Sequence, residues 1–329
     1  MSATEIASAG KKSSHKAKTP DTQKRRKAKG VGERRGQYYF YLIPGLVAFI
    51  TVIGGSFFYN VYISFTKWNG LGHPRWVGMQ NYTKLMHDHT FWQSFVHAFY
   101  FIAAMSIIPT FLGVFLAALL FDYVAPRFGN KSAAFMRAGM YMPQIVPLTI
   151  TGILWAWLLA PTTGVINNFL IKVGLDQFAL NWLGEEKTAI FSLSIIMVWV
   201  QIGYTIVIFM SGMSRLDPSL QEAAQIDGAS WFQRFRVITW AQLGPEIGVV
   251  LLTTTVAALK VFAPVYVMTG GGPGTATQVP AFFSYFHFFT TTKVGYGAAV
   301  ATVLSVLLTI LAVIILNIQN RQEQGANKR

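Results

Sequence analysis

The sequence has no cysteine, so no disulfide can staple the fold, no thiolate can hold a metal, and redox compartment leaves no trace in it. Charge is scarce as well. Asp, Glu, Lys and Arg make up 12% of the 329 residues, where a soluble domain carries about 25%. With 53% of residues hydrophobic, a soluble chain of this length could not hide its apolar surface and still offer water a charged exterior. A soluble enzyme and a secreted scaffold are excluded. Acids are missing where they would matter most. Six runs are long and apolar enough to span a bilayer core of about 30 Å: residues 38–64, 95–121, 138–160, 189–213, 247–268 and 296–318. All 13 carboxylates fall outside them, and the only His, Lys or Arg side chains inside are His97, near an end, and Lys260. Ion-coupled transporters and pumps ordinarily keep Asp, Glu or His at membrane depth as relays or ion ligands. Backbone carbonyls can bind Na⁺ without an acid, so an ion-coupled secondary transporter stays open as the alternative. A membrane-embedded enzyme is disfavoured by the absence of a charged dyad or activated nucleophile within the runs. A nucleotide-binding loop is lacking too: Gly129-Asn130-Lys131-Ser132 has neither the Gly-Lys adjacency nor the upstream glycine of a P-loop. Energy for uphill transport would have to come from another subunit.

What is present defines an all-α integral membrane protein. The first five runs are interrupted by Gly or Pro (Pro44, Pro109, Pro143 with Pro147, Gly203, Pro264), which membrane helices tolerate because neighbours re-satisfy the freed backbone groups. Pro143 and Pro147 could split the third run. Of the 27 Lys and Arg, 20 lie in the two tails and in segments 122–137 and 214–246, against 6 in segments 65–94, 161–188 and 269–295. The positive-inside rule therefore places both termini of this multi-pass membrane protein in the cytoplasm. Residues 1–37 hold 11 of these cations without apolar periodicity. We expect a disordered cytoplasmic tail there that touches anionic lipid, not nucleic acid. Residues 321–329 form a second cytoplasmic tail.

Segment 214–246 carries the sharpest local signal. Asp217-Pro218 is an N-cap with proline at the first helical position, and Asp227-Gly228 offers a left-handed stop. The spacing predicts a helix over 218–226. Ser230 and Gln233 form a capping box that restarts a helix, whose Trp231, Phe232, Phe235 and Ile238 recur on one face. An ordinary connector is commonly only 2–8 residues, and a DNA-reading helix-turn-helix would not be tethered to membrane spans at both ends. A short exposed helix on a membrane bundle is better suited to docking a soluble partner.

Glu222-Ala223-Ala224, three residues, Gly228, nine residues and Ile238 together resemble the EAA loop of ATP-binding cassette importer permeases. The family's Leu-Pro after the isoleucine is Trp240-Ala241 here, with Pro245 the next proline. Thr269-Gly270-Gly271-Gly272-Pro273 is similar to the Gly-Gly-Pro segment of the family's carbohydrate branch, and Val77-Gly78-Met79-Gln80-Asn81-Tyr82 resembles that branch's Val-Gly-Leu-x-Asn-Tyr signature. The resemblance covers 38–320 and points to the maltose-transporter type. It implies a six-transmembrane-helix type I bundle with a cytoplasmic EAA coupling helix. It also implies a second homologous permease subunit, a cytoplasmic ATPase dimer carrying ATP and Mg, an extracellular solute-binding protein and a sugar substrate. The chain itself would be non-catalytic and bind no cofactor or metal.

On that resemblance, Glu222 would pair with a basic group on the ATPase, Ala223 and Ala224 would allow close approach, and Asp227-Gly228 would make the turn; a solvated surface carboxylate is the other reading of Glu222. Gln144, Tyr204, Thr254 and Ala258 match sugar-site positions, as do Leu148 and Val261, whose side chains cannot hydrogen-bond. Gln144, Gln201, Tyr204 and Thr254 form the expected polar set, with bonding to a neighbouring helix's backbone as the competing role. Two readings of Lys260 stand: snorkelling to the outer interface, or lining a solute cavity. The His87-Asp88-His89 run is read as polar surface in preference to a metal site. Trp155 and Trp157 are assigned to an interfacial aromatic belt.

Overall fold

The computed structural model describes the backbone of residues 35–326 and the side chains of 41–318. Most of the predicted basic tail 1–37, and the last three residues, lie outside the described residues. The chain divides into two units, Met1–Gly55 and Ser56–Arg329. The first contains α1 (Arg35–Ala48) and a π turn at Phe49–Gly54, and α2 (Gly55–Ser64) starts at the boundary and belongs to the second; Tyr41–Ser64 is long and apolar enough to cross a membrane.

In the second unit, a two-stranded antiparallel ribbon, β1 (Thr66–Lys67) and β2 (Arg75–Trp76), departs from the all-α expectation. It forms because Gly70 and Gly72, both at positive φ, reverse the chain between the two strands. α3 (Gln80–Met86) leads to α4 (His89–Phe128). Asp88 caps α4 by accepting from the Thr90 and Phe91 amides at 3.0 and 3.3 Å. α4 extends beyond the predicted 95–121 at both ends, and Pro109 does not break it: a π turn at Ala103–Ile107 precedes the proline.

The third predicted run is not one helix. α5 (Asn130–Ile145) carries Pro143 internally and stops at Val146, which is extended ahead of Pro147; α6 (Leu148–Leu158) follows. The residue before a proline is pushed out of the helical region, and Pro147 is where that constraint wins. After α7 (Val165–Lys172), α8 (Glu186–Met213) is unbroken. Next come α9 (Pro218–Ile226) and α10 (Trp231–Gln242), which meets α11 (Gly244–Leu259) at a bend of 68°. The fifth run is broken as well: α11 ends at Lys260, and α12 (Ala263–Met268) restarts with Pro264 in its first turn. α13 (Pro280–Tyr285) and α14 (Val294–Ala326) complete the order. By length and composition, four helical stretches can cross a membrane (Tyr41–Ser64, His89–Phe128, Glu186–Met213 and Val294–Ile318), and the bent α10–α11 pair is a fifth candidate.

α8 is the axis of the second unit. One apolar cluster surrounds its first half with residues of α4, α11, α12 and α13, among them Phe101, Leu193, Met197, Ala258 and Phe282. A second surrounds its last half, where Val114, Ala117, Ile206, Phe209, Met213 and Leu243 meet. Lipid offers helices no hydrophobic drive toward one another, so close approach through small residues must supply packing instead. Gly203 does so: a Cβ there would run into the Met140 carbonyl and come within 2.6 Å of the Tyr141 Cα on α5. Thr205 adds a cross-helix bond, donating to the Pro109 carbonyl of α4 at 2.9 Å.

Candidate coupling and translocation site

α9 is built to stand alone. The Asp217 carboxylate accepts from the Ser219 amide at 2.9 Å, a bond that holds its pKa below the usual carboxylate range, and Pro218 occupies the first turn. At the other end the Ala229 amide reaches the Ala224 carbonyl at 2.9 Å and the Gly228 amide reaches the Gln225 carbonyl at 3.1 Å. That double closure is a Schellman motif, and it requires the left-handed φ of +78° that Gly228 adopts. Glu222, Ala223 and Asp227 are exposed, Ala224 is half-buried, and no residue of the helix is buried. Ile226 is 87% exposed and Leu220 is also open.

The next helix is anchored where α9 is free. Ser230 and Gln233 form the predicted capping box. Trp231 stacks on Phe235, meets Phe115 and Tyr123 of α4, and donates its indole N–H to Asp122 Oδ2 at 2.9 Å. Trp240 stacks on Phe111. Phe232, expected on the same face, is exposed instead. α10 thus runs past the missing Leu-Pro to Gln242, and Pro245 opens α11. The base of the segment is clamped: Arg215, just beyond α8, pairs with Glu246 in the first turn of α11, and a Cβ on Gly212 would lie 2.7 Å from Leu243. Gln221 donates to Thr239 at 3.3 Å and ties α9 to α10. Between α9 and the ends of α4 and α8 lies a cavity of about 390 Å³ whose lining includes Glu222, Asp122 and Arg234. A push on α9 has short routes to α4, α8 and α11.

The expected polar set is only partly assembled. Gly203 seats α8 on α5 at Met140–Tyr141, so Gln144, Gln201 and Tyr204 all lie within about one helical turn of one helix contact. Gln144 Oε1 is buried without a protein partner, the sort of orphan acceptor that a site fills with ligand or water. Gln201 is buried. Tyr204 hydrogen-bonds through its hydroxyl to Thr253 Oγ1 at 3.2 Å. Thr254 lies elsewhere: buried, it donates to Ser106 Oγ at 2.8 Å and to the Val250 carbonyl at 2.6 Å, which is the helix-bonding role. Thr253, which the sequence reading passed over, takes its place beside Tyr204. A run of three threonines at 253–255 cannot show from sequence alone which one faces which helix.

Ala258 and Val261 are core, and Leu148 packs against the same cluster. Lys260 is exposed at the break between α11 and α12, not inside a continuous span, and its amide closes the end of α11. A cation at a helix C-terminus also complements the helix dipole. Trp155 meets Trp199 of α8 edge to face at 5.5 Å, so it packs inward, while Trp157 is exposed. Asp88 of the His87-Asp88-His89 run caps α4 and accepts from the Tyr296 hydroxyl at 2.7 Å, and among the described residues no three His, Asp or Glu side chains gather as metal ligands.

Residues 127–324 match the family described as binding-protein-dependent transport system inner membrane component. A probable ABC transporter permease protein, YurN of Bacillus subtilis, is 32% identical over 83% of this chain and 92% of its own length. The trehalose/maltose transport system permease protein MalF of Thermococcus litoralis is 30% identical over 83% and 88% respectively. A bacterial ABC transporter involved in the import of the acidic polysaccharide alginate shares the fold, with a TM-score of 0.75 at 19% identity over 88% of this chain and 96% of that one.

Proposed function

Because this chain belongs to the family of binding-protein-dependent transport system inner membrane components, we propose that it is the translocation subunit of an ATP-driven importer of a di- or oligosaccharide. Its six predicted runs cross the bacterial cytoplasmic membrane with both termini inside. A second homologous permease completes the pathway, an ATPase dimer carrying ATP and Mg docks at α9, and an extracellular binding protein delivers the sugar. Family membership speaks for binding-protein-dependent import and against the ion-coupled alternative.

One observation carries the mechanical part: α9 is a nine-residue rod, closed at both ends by its own caps, with no buried side chain, on a segment clamped to three long helices. Transmission of force between subunits needs a stiff element that two global states place differently. Glu222, Ala223 and Ala224 present its docking face, and Asp227-Gly228 turns the chain back toward α10. On the translocation side, Gln144, Gln201 and Tyr204 with Thr253 offer the amide and hydroxyl groups that sugar hydroxyls need, and Lys260 borders the pathway at the α11–α12 break.

The test is uptake of labelled sugars into proteoliposomes holding the permease pair, with and without the ATPases, in the presence of the binding protein and internal ATP. We expect accumulation only with the ATPases and none driven by an imposed Na⁺ or proton gradient. Gradient-driven accumulation by the permeases alone would overturn the reading. Sugar preference is read from competition among neutral and acidic oligosaccharides in the same assay.

A further inference from the structure

Cations are rare in the segments assigned to the outer side, yet they are not scattered there. Of the six, Lys67, Arg75, Lys84 and Lys293 line a single open cavity of about 810 Å³ between the β ribbon, α3 and the start of α14. No Asp or Glu lines it. Among the described residues none of the four forms an ion pair; Lys84 sits 5.1 Å over the Tyr296 ring instead. Two of them are set against each other by the fold itself, since Lys67 and Arg75 are directly opposed in the antiparallel register. Like charges at such a pair destabilise a ribbon, so local stability does not account for the arrangement. Leu71, 79% exposed, forms part of the wall, and Trp76 and Met79 stand exposed nearby. The ribbon and its glycine turns leave backbone groups open, which lipid hydrocarbon does not tolerate. The mouth of the cavity therefore faces water.

We propose that this cavity is the docking site for a carboxylate-bearing protrusion on the extracellular binding protein, with Lys67 and Arg75 as the primary contacts, Lys84 and Lys293 as flanking charges, and Leu71, Trp76 and Met79 as an apolar rim. The proposal rests on the importer reading and its orientation. A protein is favoured over a small anion because exposed apolar side chains border the charge, as at a protein–protein contact, where charge sets encounter rate and register.

The complete importer is reconstituted in zwitterionic nanodiscs, and ATP hydrolysis is measured against concentration of its cognate binding protein at low and high salt. Lys67→Glu with Arg75→Glu should raise the half-saturating concentration at least about tenfold and flatten its salt dependence. Lys67→Gln with Arg75→Gln should give a smaller shift. Lys172→Glu with Lys187→Glu, the same charge change outside the cavity, should give none. Lys293→Glu, on a different element, gives the same readout if the ribbon reversal does not assemble. Unchanged half-saturation and salt slope in the reversals would overturn the proposal. So would a shift that follows anionic lipid content, or an acidic oligosaccharide whose binding is lost while binding-protein affinity stays intact. If hydrolysis by the unsubstituted importer does not respond to the binding protein in any arm, it is the importer reading that fails; if it responds and the reversals change nothing, only the docking assignment does.

Discussion

Gly203 and His287 show how single side chains set the limits of this fold. A Cβ at 203 collides with the α5 backbone at Met140–Tyr141, and backbone cannot step aside as the tip of a flexible side chain can. Gly203→Leu should therefore separate α8 from α5 at an overpacking cost of about 1–3 kcal/mol, read as a lower melting temperature of the purified complex and loss of uptake. His287 lies among Phe283, Phe286 and Tyr296. Burial, aided by Lys293 and Lys84 and opposed by Asp88, lowers its imidazole to about 4. The unfolded chain titrates near 6.5, so the folded state takes up its proton later. Stability from this group is complete above pH 6.5, declines as pH falls toward 4, and levels off below. Because solvent reaches much of the ring, the loss is on the order of 1 kcal/mol. Melting curves between pH 7.5 and 4 should show the decline, and His287→Phe should remove that component of it. Sequence exposed neither residue's role, because both arise from what the fold brings alongside: the α5 backbone in one case and α14 in the other.

At the scale of elements, α9 and α10 were legible because their boundaries are local. Asp217-Pro218, Asp227-Gly228 and Ser230…Gln233 each satisfy backbone groups within a few residues, and all three caps form as read. Asp217→Ala should cost about 1 kcal/mol of helix stability, and Gly228→Val about 1–2 kcal/mol by forcing a β-branched residue to positive φ. Both should lower uptake per ATP hydrolysed before they lower hydrolysis itself. The absence of native cysteine makes a direct contact test clean: a single cysteine at Ile226 should react with maleimide in the isolated permease and be protected once the ATPases bind. Equal labelling rates would place the contact elsewhere. The breaks in the third and fifth runs were less legible. Two prolines marked the first possibility, and Pro147 is where it is realised; at Lys260–Phe262 the break precedes Pro264, and apolar composition reads straight through it. Thr254 shows the same limit at finer grain, since hydropathy locates a helix but not the direction a given hydroxyl faces.

Across the molecule, composition alone pointed to a membrane bundle, and the helices long enough to span lie near the runs it marked. What composition could not show is connectivity of force. The aromatic anchoring of α10 on α4 joins residues up to 129 positions apart, Phe111 with Trp240, and the Arg215–Glu246 clamp at the base of the segment ties in α11. They leave α9 as the free end of a lever whose other arm is the bundle. The most direct measurement of that account is ATP hydrolysis and sugar uptake, in the same proteoliposomes, by the complete importer carrying Glu222→Ala. The account predicts that uptake falls to background and that hydrolysis no longer responds to the binding protein. Uptake at the unsubstituted rate, with hydrolysis still responsive, would contradict it.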